Sequence, residues 1–190
     1  MPLPAPEVER EALHTRTVRV DAYARADGQW DLEAELIDFK HYDFPVQAPE
    51  EGVHRAGDPV HHMHLRVTFD ESFTITQAQA GYAAAPYDQH CMAITDEYQG
   101  LIGMNLLKGF RDSVRRRFSR TAGCTHMTEL SYVLPTVAVQ SLSSRRREQQ
   151  ETGESTQRPF QLEGCHALRL DGPVVKEFYP RWYVTPPAEN

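Results

Sequence analysis

Two alternating runs around Asp27-Gly28 constrain this chain most. From Thr15 to Arg25, Val18, Val20, Ala22 and Ala24 alternate with Arg19, Asp21, Tyr23 and Arg25. From Trp30 to Asp38 the alternation resumes, with Trp30, Leu32, Ala34 and Leu36 sharing one face. Successive side chains on a strand point to opposite sides, so the pattern predicts a β-hairpin with one buried face. His61 to Phe69 reads as a third strand, with Met63, Leu65, Val67 and Phe69 on one face. Asp70-Glu71 looks like the turn into a fourth strand, about Phe73 to Ala80. Residues 40–59, rich in Pro, Gly and charge, read as a long loop.

A buried sheet face needs a second layer, and the period of the sequence changes to supply one. Tyr98, Leu101, Ile102, Leu106, Phe110 and Val114 recur at helical spacing, which predicts a helix or two over 92–119. Gly100, Gly103 and Gly109 weaken a single uninterrupted helix there. After Gly123, the residues Met127, Leu130, Leu134, Val137 and Ser141 form one stripe, and Pro135 inside it should kink or divide the helix. The fold expected is α+β: an antiparallel meander of at least four strands packed against helices from 92–142. Residues 1–14 read as a flexible arm, 15–142 as the domain, and 143–157 as a polar helix end and linker. The aromatic, Pro-rich segment 158–190 is expected to drape over the domain. There are no internal repeats.

Composition narrows the function classes. A chain of 190 residues with 40% hydrophobic and 25% charged residues suits one ordinary globular domain. Its net charge of −7 argues against general nucleic-acid binding, which draws on a basic surface. No apolar run approaches the roughly 20 residues of a membrane span, and Met1-Pro2-Leu3-Pro4 does not open a signal peptide. Three cysteines (Cys91, Cys124 and Cys165) make a sparse, odd set, so a cytoplasmic protein with free or metal-bound thiols is expected.

Gly123-Cys124-Thr125-His126-Met127-Thr128-Glu129-Leu130 gathers a thiol, an imidazole and a carboxylate at a predicted helix start, where thiolate is favoured. As a nucleophile, Cys124 would attack, His126 or His61 would take its proton, and Glu129 would orient the base. Residues i and i+2 point about 200° apart on a helix, so Cys124 and His126 converge only if one precedes the first turn. As a metal site, His61, Cys91 and Cys124 would hold zinc or iron, with His126 or an acidic group in fourth place. Strand parity puts His61 on the core face and His62 with His64 on the other, where an i,i+2 pair can chelate a metal. Cys165-His166 is more simply a packed thiol. The runs Arg115–Arg117 and Arg145–Arg147 are solvated helix faces, or a grip on the phosphates of a cofactor such as coenzyme A. No Walker loop or dinucleotide-type glycine fingerprint occurs.

Val20-Asp21-Ala22-Tyr23, Trp30-Asp31-Leu32-Glu33-Ala34, Lys40-His41-Tyr42-Asp43-Phe44, the 123–130 motif and Cys165-His166-Ala167-Leu168 together resemble a bacterial domain-of-unknown-function family. More distantly, the order of elements after residue 57 is similar to the U-type iron–sulfur scaffold fold. That likeness implies ligands at His61 (or Asp58), Cys91 and Cys124. The first scaffold cysteine is missing, with Pro59 near its place, and Cys91 lacks the usual glycine neighbours. The function expected is a small hydrolase using this Cys/His pocket, metal-centred or not, on a thioester such as an aromatic acyl-CoA. A non-catalytic metal or iron–sulfur carrier is the rival. A structural protein with merely buried thiols comes third.

Overall fold

Alternation produces the hairpin. Strands β1 (His14–Ala24) and β2 (Trp30–Lys40) pair antiparallel, with Val20 opposite Ala34 and Ala22 opposite Leu32. A computed structural model describes residues 3–46, 52–151, 158–159 and 161–186 of the chain. Strands β3 (Phe44–Val46) and β4 (Gly52–His54) form a small hairpin of their own, followed by β5 (Pro59–Phe69) and β6 (Ile75–Ala84). The main sheet runs β1-β2-β5-β6, antiparallel throughout, so the expected four-strand meander is present with β3–β4 inserted in its middle. The long loop expected over 40–59 is therefore partly sheet. Three-residue strands are too short for alternation to register in sequence, and here Phe44 stacking on His54 at 4.8 Å marks the pairing. β6 starts two residues later than expected because Phe73 takes a left-handed conformation, φ 65°, in the turn closed by Asp70.

Helices cover one face of the sheet. After α1 (Asp88–Met92), Thr95–Leu101 forms a 3-10 turn, and α2 occupies Phe110–Phe118. The stretch between them stays extended enough to bond back to the sheet, with Gly103 N–H donating to the Ile75 carbonyl at 2.8 Å. Gly109, at φ 64°, adopts the left-handed conformation that precedes α2. Pro135 divides the later helical stripe into α3 (Thr125–Ser131) and α4 (Leu134–Glu151), sitting in the first turn of α4, where its missing N–H costs no helical bond.

The core fills the space between these helices and the sheet. Leu32, Leu36, Met63, Leu65, Val67 and Phe69 from the strands meet Tyr98, Leu101, Val114, Met127, Leu130 and Leu134, all fully buried. Each such aliphatic or aromatic side chain stabilises the fold by roughly 1.5–3 kcal/mol relative to exposure. The other face of the sheet carries Asp31, Glu33, Glu35, His62, His64 and Arg66, none of them buried. Met1–Ser143 forms one compact unit and Ser144–Asn190 a second. The second contains α5 (Pro173–Phe178) and two single 3-10 turns, with Lys176 over the Tyr183 ring. Of the expected linker 143–157, α4 carries the backbone to Glu151, and 152–157 lie outside the described residues. No described helix is long and apolar enough to cross a membrane.

Candidate functional site

Strand register builds the first half of the site. Asp38 and His61 lie directly opposite each other on β2 and β5, next to the buried pair Leu36–Met63. Both have the parity of the core face, so a row of apolar pairs ends in a polar one. His61 Nδ1 lies 2.8 Å from Asp38 Oδ1. A carboxylate only accepts, so Nδ1 carries a proton, and the tautomer this selects has its lone pair on Nε2. The other oxygen, Oδ2, accepts from Arg16 Nη2 at 2.6 Å and Nε at 3.2 Å. The Asp38 side chain is only 3% exposed. Burial is the largest influence on its carboxyl and opposes ionisation, but the bonds from His61 and Arg16 outweigh it and hold the pKa below its ordinary value.

Helix α3 supplies the second half. Gly123 passes so close to the end of α2 that a Cβ there would lie 2.5 Å from the Phe118 carbonyl oxygen, a position no other residue type could take without a shift. Cys124 then caps α3 in extended conformation. The Tyr98 hydroxyl accepts the Cys124 N–H at 2.9 Å and lies 3.0 Å from the Cys124 carbonyl and 3.1 Å from Thr128 Oγ1. Tyr98 thereby pins the start of the helix to the core, and burial first raises its pKa. Met127 and Leu130 point into the core, which sets His126 over His61 with ring centroids 4.0 Å apart and planes 35° apart. One turn on, Glu129 Oε2 accepts from Arg16 Nη1 at 2.8 Å. Burial, then the neighbouring His61 and Arg16, hold the His126 pKa below its ordinary value. His126, His61, Asp38, Arg16 and Glu129 thus form one connected group.

The residues expected from sequence divide between two places. His61 and His126 come together; Glu129 reaches Arg16, and the carboxylate that orients a histidine is Asp38. Cys124 and Cys91, both partly buried, lie near the Tyr82 phenol, whose pKa is raised by burial first and then by Cys124. The Tyr82 hydroxyl has no hydrogen-bond partner of acceptable geometry, so the thiol's influence there is one of proximity rather than a formed bond. Among the described residues, the donor groups within 4.8 Å of one another are Asp38–His61–His126 and Glu35–His62–His64. Neither contains a cysteine, so His61, Cys91 and Cys124 do not gather into a three-donor set. Cys165 is exposed in the second unit. Arg115 pairs with Asp112 and Arg117 with Glu97 on the surface, and the side chains of Arg145–Arg147 lie outside the described residues.

Asp38, Arg16 and Tyr98 escaped the sequence reading as site residues. A signal existed for Asp38, a carboxylate with core parity at the end of a buried row. Nothing local pointed to Arg16 or Tyr98. A cavity of about 520 Å³ opens at the same end of the sheet, beginning two residues along β2 from Asp38 and one residue along β5 from His61. It is lined by Phe44, Val46, Val60, Tyr87 and Met92, with Lys40 at its side, its Nζ 3.9 Å from the Phe44 ring centre.

Residues 14–140 match a family model described as "Protein of unknown function (DUF2889)". The match includes the whole site and the 123–130 motif, and ends before Cys165. No curated protein and no solved structure matches the chain.

Proposed function

We propose a function for this chain, which belongs to the DUF2889 family: a small hydrolase that cleaves a thioester, most naturally an aromatic acyl-CoA, at the Asp38–His61–His126 centre. The observation that carries the proposal is the 2.8 Å bond from His61 Nδ1 to a buried, ionised carboxylate, which leaves Nε2 as a base. In this reading His61 Nε2 takes a proton from water as its oxygen attacks the thioester carbonyl. Asp38 holds the ring in the required tautomer and stabilises the imidazolium that forms. His126, kept neutral by its surroundings, donates a hydrogen bond to the oxyanion. Collapse breaks the carbon–sulfur bond, and the imidazolium returns the proton to the leaving thiolate. The products are a carboxylic acid and a thiol. The apolar cavity beside the site suits a planar acyl group.

A metal-centred version of the same hydrolysis rests on one observation: two imidazoles and a carboxylate with donor atoms within 4.8 Å, a set suited to zinc or ferrous iron. The residues that would hold the ion are His61 and His126 with Asp38, and its chemistry would be to lower the pKa of bound water. A non-catalytic metal or iron–sulfur carrier, the reading implied by the scaffold likeness, would need the same ion without turnover.

Thiol release from an aromatic acyl-CoA by the purified protein tests the proposal. Turnover is expected, with Asp38→Asn lowering kcat by about 10²–10⁴-fold because the amide cannot hold the same tautomer and charge. Absence of turnover on aromatic and aliphatic acyl-CoA alike overturns it. Cys124→Ala should retain turnover; its loss with an intact fold would return the attack to the Cys124 thiol. Zinc or iron that is stoichiometric in active protein and lost in His126→Gln selects the metal-centred version, and the same His126-dependent metal without turnover selects the carrier.

A further inference from the structure

The opposite face of the same two strands carries a second donor cluster that the proposed hydrolysis does not use. Glu35 on β2 lies directly opposite His64 on β5, and His62 stands two residues along on the same face. His62 Nε2 is 2.8 Å from Glu35 Oε1, and His64 Nδ1 is 4.0 Å from that same oxygen. The two imidazole rings lie with centroids 4.6 Å apart and planes tilted by 47°. We infer that Glu35, His62 and His64 form a surface site for a divalent transition cation, with zinc as the type case.

Three observations carry this. First, the donors are one carboxylate oxygen and two imidazole nitrogens, the set that selects zinc, copper or nickel over magnesium or calcium. Second, their spacing is close to what coordination needs. Donors in a tetrahedral zinc site lie about 3.3 Å apart, given metal–ligand bonds of about 2.0–2.1 Å. The three donors here already lie within 4.8 Å, so small side-chain rotations close the site without moving the backbone. Third, the competing cations on this face are engaged elsewhere. Arg19, opposite Glu35 on β1, pairs with Asp21 at 2.9 Å, and Arg66 pairs with Glu33 at 2.8 Å. Glu35 is left to the histidines. With His64 half exposed, a fourth position opens toward a groove of about 450 Å³ bounded by Glu33, Arg66 and Gln79, where water completes the coordination.

Calorimetric titration of the full chain with zinc tests the site, and turnover is not its readout. Supporting residues around a metal commonly contribute about 10–100-fold to affinity, so loss of a ligand should cost at least about tenfold. His64→Gln is expected to lose one equivalent of the zinc bound by the wild type, or to bind it at least about tenfold more weakly. His126→Gln, on the other face, should keep that equivalent. His64 is exposed, and an unchanged melting transition confirms that its variant folds. Wild-type protein that binds no zinc overturns the inference, as does His64→Gln that retains every equivalent at wild-type affinity.

Discussion

The two faces of β2 and β5 present nearly the same chemistry in different surroundings. Each sets a carboxylate opposite a histidine: Asp38 with His61 on the helix-covered face, Glu35 with His64 on the other. The Asp38 side chain is 3% exposed and the Glu35 side chain 33%. Under the helices, Arg16 and His61 hold the carboxylate from both sides, and His126 lies tilted over the imidazole, so the geometry is set before a ligand arrives. On the outer face Glu35, His62 and His64 are open to water, which competes for their bonds. Residue type alone therefore does not assign a role. Burial makes one pair an oriented acid–base centre and leaves the other a chelate that an ion must organise.

The largest expected difference between the faces is in stability. Asp38→Ala strips two partners of a buried carboxylate. Breaking such a pair costs about 3–5 kcal/mol, and the partial exposure of Arg16 places this case near 3 kcal/mol. Glu35→Ala removes a solvated contact and should change stability by less than about 1 kcal/mol. Urea denaturation of the two variants side by side measures the contrast, and equal losses would erase it.

A smaller effect, on the helix-covered face, is read by pH. His126 has a folded-state pKa below its ordinary 6.5, so the unfolded chain takes up the proton first as pH falls. Stability should hold above about that value and decline below it, until the folded protein is protonated as well. Asp38, also lowered, adds a second decline that begins near its ordinary 3.8 and continues through its folded value. His126→Gln should flatten the first decline and spare the second. Denaturation midpoints that stay level from pH 7 to pH 5 in the wild type would contradict the assignment.

Much of the architecture was legible because strand alternation is a local signal. Val18 to Ala24, Trp30 to Leu36 and Met63 to Phe69 each declare a strand and pair in the sheet. The declared face is buried on β2 and β5, whereas on the edge strand β1 Val18, Ala22 and Ala24 stay exposed. The same parity correctly separated His61 from His62 and His64. The helical period over 92–119 was less informative, because Gly109 and the loop that bonds back to β6 interrupt it through contacts distant in sequence. The site suffered for the same reason. Asp38 meets His61 and Arg16 only through strand register, and His126 joins them only because Tyr98 and Gly123 fix where α3 begins. The Cys124 motif drew attention by composition, whereas the structure's connected polar group is built on Asp38, which sequence offered only as the last residue of an alternating run.

One paired assay tests the account most directly: kcat/KM for thioester hydrolysis by His61→Asn and His64→Gln, measured against the wild type on the same aromatic acyl-CoA. The two histidines are three residues apart on one strand and on opposite faces. His61→Asn should lose about 10²–10⁴-fold, the usual contribution of a positioned general base, while His64→Gln should stay within about twofold of the wild type. Comparable rates for the two variants, or a greater loss in His64→Gln, would contradict it.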